Sequence, residues 1–167
     1  TVASNSYHMK QLSILFLALM MVFASCDPQQ KIAGNYTYDT ECQGIAGDGQ
    51  WSVRAFGKGK NKIEALAVAK RNALEEILFK GLRKGMAGCD QRPVLTDPNI
   101  REREQAYFGK FFSEGGEYLN YVSLKPNSYE KKMKIEGESN FTFGFELHVD
   151  YVKLKEKMKT DNLIKQQ

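Results

Sequence analysis

Chemistry in this chain of 167 residues would have to come from a few polar groups whose spacing brings them together. Glu146, His148 and Asp150 alternate along one strand-like run, which places the three side chains on one face. A carboxylate beside a histidine is the orienting half of an acid–base site, so His148 is the candidate base of a cell-envelope hydrolase. No serine or cysteine nucleophile stands near it in sequence. The row also reads as the polar complement of an aromatic face, and that reading is favoured. Gly57-Lys58-Gly59-Lys60-Asn61-Lys62 lies between a strand and a helix start. Free N–H groups and the helix dipole favour an anion there, which makes Lys58, Gly59, Lys60 and Lys62 candidate ligands for a phosphate or acidic head group. The segment lacks GxxxxGK[ST], and Lys62 stands where GxGxxG needs its last glycine, so a solvated turn is the favoured reading. Cys42, Cys89, His8 and His148 contain no CxxC and no paired histidines, and neither a metal nor a cofactor is expected.

The elements that must position these groups follow from periodicity. Gln50 to Gly57 alternates and predicts a half-buried strand. Asn61 to Lys84 carries apolar residues at helical spacing (Ile63, Leu66, Ala67, Ala73, Leu74, Ile77, Leu78 and Leu82) and predicts a long helix. Asn61 is its cap with Glu64 three residues on, and Lys80, Arg83 and Lys84 suit the dipole at its end. Alanines at 65, 67, 69 and 73 keep it thin enough to lie close on a sheet. Ala87 to Pro98 is a loop, and Asp97-Pro98 opens a second helix over Asn99 to Phe112. Tyr107, Phe108, Phe111 and Phe112 of that helix read mainly as core. Strands are predicted over Glu117 to Lys125 and Tyr129 to Gly137, turned by Pro126-Asn127-Ser128. Phe141 to Tyr151 alternates strictly over eleven residues and predicts an antiparallel strand with one buried face. A last helix covers Val152 to Ile164. The expected fold is α+β: an antiparallel sheet of about four strands against a long Ala-rich helix, with shorter second and C-terminal helices. A single strand–helix unit followed by antiparallel strands opposes a dinucleotide-binding fold.

The N-terminal region predicts where the protein works. Met9-Lys10 precedes the apolar run Leu12 to Phe23 and then Ala24-Ser25-Cys26. About a dozen apolar residues are too few for a span of roughly 20, whereas a cationic start, a short apolar core and small residues at the cut mark a processed signal. Phe23-Ala24-Ser25-Cys26 resembles a bacterial lipobox, with Phe where Leu is usual. The resemblance implies that Cys26 becomes the first mature residue and carries acyl chains such as palmitate. Two or more chains anchor stably. Residues 1–8 are then upstream of the start, 9–25 the signal peptide, 26–49 the lipidated cysteine, tether and an irregular segment, and 50–167 one α+β domain. Asp27 after the cysteine retains some lipoproteins at the inner membrane; the leaflet stays open, with the outer membrane favoured and the domain facing the periplasm. Without Lys10 the chain has 23 basic and 20 acidic residues, which is no nucleic-acid signature. An oxidising compartment permits Cys42 and Cys89 to pair. Two separate thiols, one in a loop and one near a strand, is the other reading, and the residues do not decide between them.

Ala55-Phe56-Gly57-Lys58-Gly59, followed by Ala65, Ala69, Ala73-Leu74 and Ile77-Leu78, resembles the dodecin-like domains of outer-membrane and flagellar-assembly lipoproteins. In that group a strand ending in Gly-x-Gly leads into a helix with Ala at every fourth position, and an alternating strand closes the domain; Phe141 to Tyr151 would be that strand. It is unusually Phe-rich, and the loop from Gly85 to Pro98 adds a cysteine. The resemblance spans about Trp51 to Lys165 and implies a structural or adhesive role with no catalytic residues to carry over. The expected function is a non-catalytic accessory lipoprotein that binds another envelope protein or itself. The alternatives are anion or ligand binding at residues 57–62 and, less favoured, a hydrolase.

Overall fold

The computed structural model describes residues 39–46, 49–127, 131–134 and 141–164, the backbone alone for 131–134. The expected signal segment, Cys26, the expected tether, and Tyr36 and Tyr38 lie outside these residues. Among the described residues no helix is long and apolar enough to cross a membrane.

The fold is α+β. Its centre is the pair β2 (Trp51–Gly59) and β6 (Phe141–Val149), antiparallel in register from Trp51↔Val149 to Gly59↔Phe141. Alternation decides which face is buried, because successive side chains of a strand point to opposite faces. Val53, Ala55, Phe145, Leu147 and Val149 have no exposed surface, whereas Arg54, Glu146 and His148 are half-buried on the other face. β1 (Glu41–Ile45) pairs antiparallel with β2, and the two-residue β3 (Lys84–Gly85) pairs parallel with β1.

On the other edge the expected hairpin is absent. Glu117–Tyr121 is a 3-10 turn, and β4 (Val122–Leu124) and β5 (Lys131–Lys134) both pair antiparallel with β6. Leu124 pairs with Leu147 and Lys131 with Gly144, so the two strands lie end to end along one edge of β6. Pro126 has no N–H to give the ladder, and Asn127 adopts φ 54°. Among the described residues six strands in five positions, rather than about four, make the sheet, in the order β3-β1-β2-β6 and then β4 with β5.

α1 (Lys62–Phe79) crosses the buried face. Ala65, Ala69 and Ala73 are fully buried against it, while Ile63, read as part of the apolar face, is 82% exposed. The helix stops before Lys84. Both Lys80 and Gly81 donate their N–H groups to the Glu76 carbonyl at 2.8 Å, and Gly81 takes φ +77°, a glycine C-terminal stop. Lys80 is thus the C-cap, and Arg83 and Lys84 lie past the helix rather than in its last turn. Val94 and Leu95 donate to the carbonyls of Ile77 and Leu78, so the following loop satisfies the open carbonyls of the helix end.

The expected second helix is two short ones, α2 (Ile100–Arg103) and α3 (Gln105–Phe111), broken at Glu104. Asp97 accepts from the Asn99 N–H at 3.0 Å and from Arg103 at 2.7 Å, which fixes the entry. Phe108, Phe111, Phe112 and Tyr118 are core, with Phe108 set edge-on to Phe79 at 4.9 Å. Strand β6 ends at Val149. Asp150 caps α4 (Tyr151–Thr160) by accepting the Lys153 N–H at 3.1 Å, and Tyr151, expected at the end of the strand, stacks on Trp51 at 3.8 Å instead.

Candidate functional site

The lysine-rich turn is organised by its own side chains. Asn61 Oδ1 accepts the Glu64 N–H at 3.0 Å, Glu64 Oε2 accepts the Lys60 N–H at 3.0 Å, and Asn61 Nδ2 donates to Glu64 Oε1 at 3.2 Å. This is a closed capping box, and it sets a carboxylate where an anion would dock. Lys58 and Lys62 have contacts of their own. The two glycines serve packing rather than phosphate approach. A Cβ on Gly57 would lie 1.9 Å from the Ala65 carbonyl oxygen, and one on Gly59 would lie 2.6 Å from the Ala65 nitrogen. Within the segment Lys58, Gly59, Lys60 and Lys62 expected to hold an anion, the Lys60 N–H is already engaged by Glu64. Asn61→Ala should lower stability by about 1 kcal/mol, measured by urea titration; an unchanged midpoint would show that the box contributes nothing.

The carboxylates on either side of His148 are each engaged by cations. Glu146 is held by Arg54 at 3.5 Å and Lys125 at 3.2 Å, and Asp150 by Lys153 at 2.6 Å. Glu41 adds to the row at 3.6 Å from Arg54, so Glu41, Arg54, Glu146 and Lys125 form a line of alternating charge across the sheet. Register does bring hydroxyls near His148 that sequence spacing could not show: Ser52 and Ser123 are its direct cross-strand partners. The Ser52 Oγ is buried without a hydrogen bond, so no base is poised on it.

Cys42 and Cys89 are joined as a disulfide with 6.0 Å between Cα atoms. Cys42 is buried in β1, and the Met86 N–H donates to its carbonyl at 2.8 Å. The bond fastens the end of the loop after α1 to the sheet edge. Beside it Ile45 and Met86 are exposed.

The groups that sequence spacing missed lie on the last turn of α1. Glu75 and Glu76 are adjacent and both buried, with 1% and 6% of their surface exposed. Glu75 Oε2 accepts from Arg101 at 3.2 Å, and its Oε1 is buried without a hydrogen bond. Arg101 also lies 5.3 Å from the centre of the Phe79 ring, a cation–π arrangement. Glu76 Oε2 accepts the Thr40 N–H at 2.8 Å. Burial raises both carboxyls above their ordinary value, more than Arg101 and Arg71 lower Glu75 or the Thr40 hydrogen bonds lower Glu76. Glu76 lines a cavity of about 440 Å3 with Asp39, Phe79, Lys80, Gly81, Arg83, Lys84 and Pro93. Two adjacent glutamates in a helix carry no local signal of burial; contacts from α2 at Arg101 and from the strand entry at Thr40 accompany it.

The raised Glu75 carboxyl gives a pH prediction with a definite sign. A carboxyl with a raised folded value holds its proton in the folded state after the unfolded state has lost it. Its contribution to stability is complete below the ordinary 4.5 and is lost as pH rises through the raised value. Asp39 and Asp150, held below the ordinary range mainly through Lys84 and Lys153 respectively, act in the opposite sense. The difference between wild type and Glu75→Gln isolates the group. The wild type should lose stability relative to the variant as pH rises from 4.5 toward neutrality. A difference that stays flat across that range would refute the assignment.

Comparison with family models, with curated proteins and with solved structures finds no match to this chain.

Proposed function

We propose that this chain is a bacterial envelope lipoprotein, anchored by acyl chains on Cys26 and facing the periplasm, with a non-catalytic role in binding another envelope protein or itself. The observation that carries the reading is Ala24-Ser25-Cys26 directly behind the apolar run Leu12 to Phe23, a pattern for lipid attachment rather than for a span. The Cys42–Cys89 bond supports it independently, because disulfides persist in oxidising compartments. Exposed Ile45 and Met86 beside that bond suit contact with a protein partner. Engagement of Glu146 and Asp150 by Arg54, Lys125 and Lys153 argues against the hydrolase alternative. The outer membrane remains the favoured leaflet.

Cys26→Ala tests the anchor. In cells fed an alkyne analogue of palmitate the wild type should carry the label and sediment with membranes. The variant should lose the label and appear in the soluble fraction. An unlabelled wild type would end the lipoprotein reading. Crosslinking in intact cells, followed by recovery through a C-terminal tag, tests the partner: a stoichiometric envelope protein or a self-crosslink is expected, and neither appearing would end the binding role.

A further inference from the structure

We propose that this chain pairs with a second copy of itself, face to face, through the side of the sheet turned away from α1. The proposal rests on the binding role given above and commits it to self-association. One register row crosses that face. Glu41 of β1 pairs with Arg54 of β2, and Arg54 with Glu146 of β6. Lys125, directly after β4, donates its N–H to the Glu146 carbonyl at 3.0 Å. The row therefore reads minus, plus, minus, plus, at the even spacing of about 4.8 Å that separates strands.

Such a row is complementary to its own reverse. A two-fold axis parallel to the strands, between β2 and β6, lays a second copy on the first with the row turned end for end. Glu41 then faces Lys125 of the second copy, Arg54 faces its Glu146, and by symmetry each contact occurs twice. A two-fold axis along the row instead sets every charge against its own kind, which is costly. The row thus admits one orientation and opposes the other. Sheets that pack face to face keep their strands within about 30° of one another, which suits the admitted axis.

Within one chain these groups already form ion pairs, at 3.6 Å for Arg54 and Glu41, 3.5 Å for Arg54 and Glu146, and 3.2 Å for Lys125 and Glu146. Docking gives each a second partner, so the row contributes orientation more than affinity. Apolar contact comes from Phe56, two residues along β2 from Arg54. It is half-buried, and its ring lies across Gly144, 2.9 Å from where a Cβ would stand. The axis between β2 and β6 passes beside that ring. The two Phe56 rings therefore meet at the centre of the interface, where aromatic anchors count most. β2 has nine residues and spans about 30 Å, and the row with its end side chains crosses about 20 Å. That gives about 1,200 Å2 over both copies, the lower edge of the range for a specific pair. Anchoring on one membrane raises the effective concentration of the two copies and offsets a weak contact.

Glu41 and Lys125 provide the test. Their side chains are 36% and 39% exposed, and about 14 Å, three strand spacings, separates them in one chain. Neither can compensate for the other except across copies. Sedimentation equilibrium of the full-length protein in density-matched detergent should show a wild-type dimer. Glu41→Lys opposes cations across the axis, and Lys125→Glu opposes anions. Each variant alone should weaken the dimer by about tenfold or more. An equimolar mixture of the two should recover wild-type affinity, because every contact across the axis again joins opposite charges. Circular dichroism establishes that both variants are folded. A monomeric wild type, single variants that dimerise as the wild type does, or a mixture no better than its components would overturn the proposal. Dimerisation through Ile45 and Met86 would give the second of these outcomes. Labelling at Cys26 and recovery of a different envelope protein are independent of all three, so this proposal can fail while the lipoprotein reading stands.

Discussion

Gly57→Ala should cost this domain about 3 kcal/mol or more, the upper part of the range for overpacking, and lower its melting temperature by about 10 °C. The added methyl would sit 1.9 Å from the Ala65 carbonyl oxygen and 2.6 Å from the Ala69 nitrogen. Both are backbone atoms in the middle of α1, so no rotamer change can relieve the clash. The helix would have to lift from β2, opening gaps around Ala65, Ala69 and Ala73, all fully buried. Two other glycines calibrate the claim. At Gly144 the nearest atom is the Phe56 ring at 2.9 Å, a side chain that can swing, so Gly144→Ala should cost distinctly less. At Gly109, within α3, nothing lies within 4 Å, and alanine there should stabilise by about 0.5–1 kcal/mol. Thermal unfolding of the three variants gives the order. If Gly57→Ala were no worse than Gly144→Ala, the close crossing of α1 over β2 would be wrong.

Removing the disulfide should have an effect of similar size. Cys42 and Cys89 are 47 residues apart, and the loop-closure model assigns such a cross-link about 4 kcal/mol through the unfolded state. That loop contains β2 and α1, the elements that carry most of the buried face, so the constraint acts on the centre of the fold. The double variant Cys42→Ala, Cys89→Ala should show a much lower urea midpoint than the oxidised wild type. Reduced wild type should fall close to the variant. Amide exchange should localise a second effect: protection at Met86, whose N–H donates to the Cys42 carbonyl, should drop. Equal midpoints for the oxidised protein and the double variant would show that the bond adds nothing to stability.

Much of the fold is legible in the residues because its signals are local. Strict alternation in Phe141–Val149 and Trp51–Gly59, with the Asn61–Glu64 box between strand and helix, depends on the backbone period and on neighbours within four positions. Where the reading fails, the deciding interaction is distant. α1 ends at Phe79 because the loop at Gln91 lies where a side chain on Gly81 would stand, 2.0 Å from its carbonyl oxygen, and periodicity alone carries the helix on to Lys84. The two strands expected on either side of Pro126-Asn127-Ser128 both pair with β6, which is long enough to take them end to end. Asp150 alternates correctly with His148 yet leaves the strand to cap a helix, so only Glu146 of the expected pair stays on the strand face of the candidate base.

The composition of the sheet's buried face and the capped start of α1 are matters of spacing along the chain, and both are legible before any fold is known. Distant contacts set the meeting of Cys42 with Cys89, the close approach of α1 to Gly57 and Gly59, and the burial of Glu75 and Glu76. The physical reason is common to all three. Burial and pairing depend on chain segments from 16 to 47 residues away, such as Phe56 with Asn72, Glu75 with Arg101, Thr40 with Glu76 and Cys42 with Cys89, and no local period encodes those approaches.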